Sequence, residues 1–289
     1  MHKSPLIDLT DVTLCAIDTV MPMLAARALD ISMSQCRFGD AILFTHEDVL
    51  TRARRVPIAP LRSLGEYSAF VLKELVKHVA TPWVLVVQWD GYVVDATQWT
   101  DEFRQYDYIG ARWPHSAKGM DVGNGGFSLR SVKLLEALAH ERFAVSSDSI
   151  EDVMICDRWR RALETDHGIR FAPGEIADRF SYEAARPLQP TFGFHGVFNM
   201  WRHIEDRSMM EILEALDLAT LASMRCVSLL KNYCDLRKFQ CVKAIYQRYR
   251  TRWSMEDIAS AFTHIGLNEE FARQYANICE ASLDRSPSH

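Results

Sequence analysis

The sequence predicts an α/β fold: a mixed but mostly parallel central sheet flanked by helices, followed by an all-helical C-terminal region. Three observations support this prediction. Residues 83–87 are apolar and valine-rich, which is typical of a central strand buried on both faces. A strand–helix–strand pattern over residues 12–45 indicates a βαβ unit and therefore parallel pairing. After residue 204, strand patterns and glycines largely disappear and amphipathic helical patterns follow one another.

Local patterns place the elements of the first part of the chain. Apolar, β-branched runs predict strands at residues 12–17, 41–45, 83–87, 106–110, 168–172 and 180–183. Pro22 marks the first turn of one helix, and Ser63 and Glu66 have the spacing of a capping box that begins another. Residues 51–62 are basic and proline-containing, and we interpret them as a connection over the edge of the sheet where ligands bind.

The change of character divides the chain into a sheet domain, residues 1–203, and a helical region, residues 204–289. Ser208 and Glu211 have the spacing of a helix cap at its start. Helical patterns then cover residues 221–234, 238–250, 254–264 and 268–282. Amphipathic helices of this kind suit packing on the sheet domain or association. A homodimer through this region, contact with a membrane surface and docking of a partner all fit them, and these alternatives stay open.

Composition excludes several classes of protein. A formal net charge of -5 argues against broad nucleic-acid binding, which needs a basic surface. The seven cysteines include no C-x-x-C pair and no apolar signal region precedes them, so we expect the reduced thiols of a cytoplasmic protein. No apolar run is long enough to cross a bilayer. Any lipid-linked substrate would therefore be met at the inner face of the membrane.

Two stretches end in residues suited to ligand binding. Asp90 follows the buried strand at residues 83–87, and ligands bind at this edge of open α/β sheets. Gly91 permits a sharp turn there, although Asp90 opening a turn is the plainer interpretation. Three glycines at residues 123–126 demand an unusual backbone, for which a glycine-rich bulge between strands is the plainer interpretation.

Two later stretches carry further polar candidates. Glu151 and Asp152 begin a helix, and Ser149 with Asp152 also fits a capping box that needs no catalytic role. His195 lies between aromatic residues and glycines, a setting in which a packed histidine is the commoner case.

In order along the chain, residues 88–91, 123–130, 151–152 and 192–196 resemble the GT-A glycosyltransferases. In that Rossmann-related fold an Asp-x-Asp motif follows a central strand, a glycine-rich segment comes next, an acidic pair starts a helix, and a late histidine completes a metal site. The order is similar to that of the animal β-galactosyltransferases. It more closely resembles an uncharacterised bacterial family, catalogued as a domain of unknown function and regarded as glycosyltransferase-like. The resemblance covers roughly residues 10–200.

The resemblance implies a metal site and a catalytic base. Asp90 and His195 would hold Mn²⁺ or Mg²⁺ together with two phosphate oxygens of the donor, and mixed oxygen and nitrogen ligation favours Mn²⁺ over Ca²⁺. Gln88 replaces the first Asp of the motif, so it would at most contact ribose or a metal-bound water. Asp152 would take the proton of the acceptor hydroxyl in an inverting transfer, with Glu151 orienting or binding the acceptor.

The remaining binding residues implied by the resemblance lie at strand ends and in the glycine segment. They are Ala16, Asp18 and Thr19 at the nucleotide, Asn124, Gly125 and Gly126 at the sugar, and Gln88, Trp89 and Gly91 beside the motif. Trp89, Trp113 and His115 are candidates to stack on sugar or cover the site, with core packing an equal alternative for each tryptophan.

The implied function is transfer of a hexose from a nucleotide-diphosphate sugar, expected to be UDP-linked, to a hydroxyl of a glycan acceptor. The expected setting is the synthesis of bacterial surface polysaccharide or lipopolysaccharide. Two alternatives remain open. One is a non-catalytic sugar-nucleotide or glycan-binding module that acts through its helical tail. The other is a different metal-dependent nucleotide enzyme, which would usually have more clustered carboxylates; no Gly-x-x-x-x-Gly-Lys phosphate loop is present.

Overall fold

The computed structural model describes residues 6–117, 119–185 and 188–284. The chain divides into two compact units, residues 1–195 and residues 196–289. The first contains the described strands, and the regular elements described in the second are all helices. The division lies a few residues before the change of sequence character at residue 204.

Within the described ranges the strands are β1 (Ile7–Ile17), β2 (Cys36–Thr45), β3 (Arg54–Pro57), β4 (Trp83–Val87), β5 (Tyr108–Ile109), β6 (Phe127–Ser131), β7 (Ser181–Tyr182) and β8 (Gly193–Phe194). The helices of the first unit are α1 (Pro22–Met33), α2 (Leu64–Ala69), α3 (Val132–Ala139), α4 (Glu151–Val153), α5 (Arg160–His167) and α6 (Gly174–Phe180). Those of the second unit are α7 (Asp206–Ala215), α8 (Leu218–Leu221), α9 (Met224–Asp235), α10 (Phe239–Tyr249), α11 (Met255–His264) and α12 (Glu269–Ser282). None of the helices described is both long enough and apolar enough to cross a membrane.

The main sheet has six strands in the order β3-β2-β1-β4-β6-β5. The pairs β3–β2, β2–β1 and β1–β4 are parallel, whereas β4–β6 and β6–β5 are antiparallel. The parallel pair β1–β2 is joined through α1, as the βαβ pattern predicts. The predicted mixed, mostly parallel sheet with flanking helices and a helical C-terminal region is therefore confirmed.

Strand β4 lies inside the sheet and is buried on both faces. Leu85 and Val87 pack into one apolar cluster together with residues of α1, while Val84 and Val86 pack into a second cluster on the opposite face. That second cluster includes Val71, in the π-helical turn at residues 70–74 that continues α2. Burial on two faces explains why the sequence of β4 is continuously apolar instead of alternating.

The reversed strand β6 brings the glycine segment to the end of β4. Because β6 runs antiparallel to β4, it begins at the edge where β4 ends, and Phe127 pairs with Val87. The pairing continues past the strands, since the backbone N–H of Gln88 donates to the carbonyl of Gly126 at 2.9 Å. The small parallel sheet of β7 and β8 approaches the same edge, with Gly193 bridged to Val93.

Several local predictions are wrong. Residues 54–57, within the predicted connection, form the edge strand β3, whose exposed arginines hide the strand pattern; Arg54, for example, pairs with Asp40. Residues 168–172 form no strand, and only Phe171 makes an isolated bridge, to Tyr108. By contrast, Ser63 caps α2 as predicted.

Two predicted helix caps also differ. Ser149 does not cap α4, because its hydroxyl accepts from the backbone N–H of Ser146 and closes a turn; Ile150 is the cap residue. Helix α7 begins at Asp206, before the predicted cap at Ser208.

Replacing Leu85 with Ala tests how far the sheet depends on β4. Leu85 is fully buried, so the cavity and lost apolar burial should cost about 2–5 kcal/mol of the free energy of unfolding. Leu50→Ala is the matched control, since Leu50 is 99% exposed and its truncation should change stability by less than about 0.5 kcal/mol. Urea unfolding followed by circular dichroism measures both. Equal midpoints for the two variants would contradict the description of β4 as a central strand.

Candidate functional site

The carboxyl end of β4 carries a buried acidic residue. The chain turns immediately after the strand, with the backbone N–H of Gly91 donating to the carbonyl of Gln88 at 3.0 Å. Asp90 lies in this turn and is only 3% exposed. Burial of a carboxylate is costly unless charged or polar groups surround it, so its neighbours define the site.

The imidazole of His195 contacts Asp90 and several other polar side chains of the site. Its Nε2 lies 3.3 Å from Oδ1 of Asp90 and 3.0 Å from Oε1 of Gln88. Its Nδ1 lies 3.0 Å from Oε1 of Glu183, and the amide of Asn124 is also 3.0 Å from Nδ1. Three separate parts of the sequence therefore meet at one buried ring.

Two carboxylates determine the protonation of His195. Burial alone would lower the pKa of the imidazole, but Asp90 and Glu183 outweigh it and raise the pKa from 6.5 to about 9. In the absence of other ligands, the ring is therefore an imidazolium at neutral pH. Each ring nitrogen then donates towards a carboxylate on its own side.

A glycine is required where the His195 ring contacts the backbone of the glycine segment. A Cβ placed on Gly126 would lie 2.1 Å from Nε2 of His195. No side chain fits in that space unless the ring moves away from Asp90. The neighbouring Asn124 has a φ of 62°, a left-handed conformation in which Asn is one of the better-tolerated residues. This local geometry accounts for the sequence of the glycine segment.

The same atoms fit a divalent cation. Ligands on adjacent vertices around one ion, each about 2.1 Å from it, are about 3 Å apart. Nε2 of His195 has this spacing from both Asp90 Oδ1 and Gln88 Oε1. Glu183 on Nδ1 would orient the ring, as carboxylates do behind metal-binding histidines. In the part of the chain that is described, no cluster of three or more His, Cys, Asp or Glu side chains is placed to hold a metal.

Asp152 lies against the glycine segment. Its Oδ2 accepts from the backbone N–H of Gly125 at 3.1 Å, and its Oδ1 accepts from the N–H of Val153 at 2.8 Å. The residue is half-buried at the start of α4, where the helix N-terminus stabilises a carboxylate. The structure thus brings Asp152 to the segment that also contacts His195.

A buried ion pair fixes the other side of the same peptide. Glu151 is hydrogen-bonded to Arg130, and both side chains are almost fully buried. Burial alone would lower the pKa of Arg130, but Glu151 raises it above its usual range, so the guanidinium stays charged. The carbonyl of Gly125 accepts from Arg130 Nη2 at 3.3 Å and from the Ser128 hydroxyl at 3.0 Å. The Gly125 peptide is therefore held at both its N–H and its carbonyl.

The predicted nucleotide-binding residues lie at the end of β1, beside β4. Ala16 is buried in the strand. Asp18 accepts from the N–H groups of Val20 and Met21 at 2.8 and 2.6 Å; burial raises its pKa, and the charge of Asp90 adds to this. Thr19 exchanges hydrogen bonds with the backbone of Leu61. Asp18 and Thr19 thus already stabilise the loops at this edge.

Trp89, between Gln88 and Asp90, packs against the apolar cluster on the α1 face of the sheet. Its ring is half-buried there. Part of the surface of Trp89 is therefore buried by core packing, which was the alternative to a stacking role.

Three residues of the site are absent from the sequence-based predictions. Glu183 contacts His195, Tyr67 accepts a hydrogen bond from Gln88 Nε2 at 3.2 Å, and Arg130 contacts Glu151. Arg130 could have been found, because a charged residue inside a short apolar strand needs a buried partner. Glu183 and Tyr67 carry no such signal.

Fold and site together define an α/β protein with a largely buried polar constellation at the carboxyl edge of its sheet. The DUF5672 family, described as a protein of unknown function, matches residues 51–195, half of the chain. The chain belongs to this family. No curated protein sequence gives a significant match.

Two solved structures are similar in part. One is a glycosyltransferase involved in the glycosylation of the major capsid of PBCV-1, with 10% sequence identity, 71% of this chain and 99% of that chain covered, and a TM-score of 0.42. The other is the active-site mutant Q189E of LgtC, with 14% identity, 65% and 86% coverage, and a TM-score of 0.40.

The raised pKa of His195 predicts a pH-dependent stability. Because the folded value of about 9 exceeds the unfolded value of 6.5, the contribution is fully present below pH 6.5 and is lost as the pH rises through 9. The loss should be about 3 kcal/mol at most. Thermal unfolding of chelator-treated protein between pH 6 and 10 measures it. His195→Gln should flatten the slope, while His115→Gln, at an exposed position, should keep it. Equal slopes in both variants would rule out this assignment, and an NMR titration of the imidazole gives the midpoint directly.

Proposed function

We propose that this protein is a glycosyltransferase that moves a hexose from a nucleotide-diphosphate sugar to a hydroxyl of a glycan acceptor. One observation carries the proposal. Asp90 and His195 meet on one side of the glycine segment, and Asp152 is hydrogen-bonded to the same segment at Gly125. The transfer requires a donor site and a base for the acceptor, and the residues that we propose for these roles lie at one edge of the sheet.

The donor diphosphate would bind at Asp90 and His195, with Gln88 completing the protein ligands to Mn²⁺ or Mg²⁺. A divalent cation there would neutralise the charge that develops on the departing diphosphate. Glu183 keeps the His195 ring oriented towards Asp90. We further propose a UDP-linked donor, with Asp18 at the edge where the ribose or base would lie.

Asp152 would act as the base of an inverting transfer. Its carboxylate takes the proton of the acceptor hydroxyl as that oxygen attacks the anomeric carbon and the diphosphate leaves. Both oxygens of Asp152 accept backbone hydrogen bonds in the free protein, so close positioning of the acceptor hydroxyl must supply much of the rate. Asn124, Gly125 and Gly126 would line the sugar. Glu151, bound to Arg130, would hold this segment in place for the acceptor.

The setting we propose is the synthesis of bacterial surface polysaccharide or lipopolysaccharide in the cytoplasm. Seven buried thiols, none of them in a disulfide, are compatible with a reducing compartment. A lipid-linked acceptor would be reached at the inner face of the membrane. The amphipathic helices of the second unit are proposed to form a homodimer.

A second candidate is a non-catalytic module that binds sugar nucleotides or glycans. One observation favours it: both oxygens of Asp152 already accept backbone hydrogen bonds, from Gly125 and Val153. In this case Asp152 would serve only to hold the glycine segment against α4.

Donor binding can be tested without knowing the acceptor. UDP with Mn²⁺ should stabilise the wild type, by about 2.7 kcal/mol at a hundredfold excess over Kd, because it binds only the native state. Asp90→Ala should lose the Mn²⁺-dependent stabilisation, whereas Asp48→Ala, at a 93% exposed side chain, should keep it. A thermal-shift panel of nucleoside diphosphates and nucleotide sugars, with and without Mn²⁺, makes the measurement. Absence of a shift with every nucleotide would contradict the donor site.

Replacing Asp152 with Asn separates catalysis from binding. The variant should keep the nucleotide-dependent thermal shift but lose about 10²–10⁴ in turnover, because the amide cannot accept the proton. Release of nucleoside diphosphate from the nucleotide sugar that binds is the assay, with acceptor glycans supplied. Asp157→Asn, at an exposed position on the same helical stretch, is the control and should retain full turnover. Unchanged turnover in Asp152→Asn would exclude Asp152 as the base.

A further inference from the structure

A cavity of about 550 Å³ lies in a part of the first unit to which the proposed donor chemistry assigns no role. Its walls come from a hairpin, of which residues 112–117 and 119–121 are described, and from the start of α6. The hairpin is closed by a bridge between Arg112 and Val122, and by the N–H of Trp113 donating to the carbonyl of Asp121 at 2.7 Å. The volume is within the range of about 300–1,000 Å³ that is usual for small-ligand sites.

The hairpin connects this cavity to the glycine segment. Its returning arm runs from Asp121 through Gly123 directly into Asn124 and Gly125. The Trp113 ring rests against Gly123, where an added Cβ would lie 2.2 Å from Cε2 of the indole. The cavity lining is therefore joined, through residues 121–125, to the segment that Asp152 contacts.

The charges of the described lining argue against a phosphate ligand. Its described lining contains one guanidinium, Arg112, and two carboxylates, Asp121 and Glu175. Arg112 is already engaged: Nε and Nη2 donate to the two oxygens of Asp178 at 3.1 and 2.8 Å, and Nη1 is 3.3 Å from Asp121. The one described cation is already paired with two carboxylates, and a third, Glu175, also lines the cavity, so this lining would repel a diphosphate.

The same surface suits a neutral sugar. The half-buried indole of Trp113 offers an apolar face on which a pyranose ring can lie, and carboxylates accept hydrogen bonds from hydroxyl groups. Glu175 is exposed on α6, so its carboxylate is open to a ligand.

We propose that this cavity binds a neutral saccharide, with Trp113 as the stacking surface and Asp121 and Glu175 as hydroxyl acceptors. The identification of this saccharide as the glycosyl acceptor rests on the proposed function. The proposal that the cavity binds a saccharide does not. The cavity thus assigns the acceptor side of the reaction to the hairpin, and the donor side to the end of β4.

Saccharide binding is tested by saturation-transfer NMR with the methyl glycosides of glucose, galactose, mannose and N-acetylglucosamine, and with lactose. At least one probe should bind the wild type. Its affinity for Glu175→Gln should be about tenfold lower, and its affinity for Trp113→Ala should be reduced at least as much. Glu141→Gln, at an exposed position elsewhere, is the matched control and should bind as the wild type does. Circular dichroism checks that Trp113→Ala folds, and Glu175→Gln carries the test if it does not. If no probe binds, or if neither substitution weakens binding, the proposal is overturned.

The UDP-dependent thermal shift of the same variants separates this inference from the proposed function. It should be unchanged in Glu175→Gln, because the donor site lies at Asp90 and His195. Saccharide binding without any nucleotide shift would remove the glycosyltransferase proposal and leave the cavity as a sugar-binding site. If a nucleotide raises the thermal stability but saccharide binding is unaffected by substitution of Glu175 and Trp113, the saccharide site in this cavity is excluded and the glycosyltransferase proposal stands.

Discussion

The candidate site depends on the buried imidazole of His195 and the two carboxylates that flank it. The ring joins the end of β4 at Asp90, the glycine segment at Gly126, and the β7–β8 sheet at Glu183. None of these contacts is local in sequence, so the ring keeps three loops in register at one edge of the sheet. A site built in this way is pre-formed, because the charges that would bind a ligand also hold the loops together.

The elements most fully predicted from sequence are those whose burial is simplest. Strand β4 is apolar on both faces, and β1, α1 and β2 form the expected parallel unit. Strand β3 was interpreted as a connection because an edge strand tolerates arginines and has no strong apolar pattern. Cap residues failed where a serine had another partner, as Ser149 does. Local spacing identifies a possible hydrogen bond, but the tertiary structure decides which one forms.

The candidate site was predicted in part. The structure brings Asp90 and His195 together, places Asn124 beside them, and binds Asp152 to Gly125. Turn glycines and acidic residues at strand ends signal such positions in advance. Contacts between distant segments do not, since Glu183 is a single acidic residue in an irregular stretch and only the folded chain shows that it faces the ring. The charged lining of the hairpin cavity likewise combines residues that are distant in sequence, Arg112 and Asp121 with Glu175.

The buried pair of Arg130 and Glu151 limits how this sequence can vary. Removing either partner leaves an uncompensated charge inside the protein, which typically costs 3–5 kcal/mol, roughly. A joint exchange for two apolar residues of similar volume could preserve stability but would remove one of the two donors to the carbonyl of Gly125, leaving the Ser128 hydroxyl. Viable relatives should therefore either keep both residues or replace both and re-anchor the glycine segment by other means. Arg130 and Glu151 should therefore be substituted together in evolution, since neither can be replaced alone without destabilising the protein.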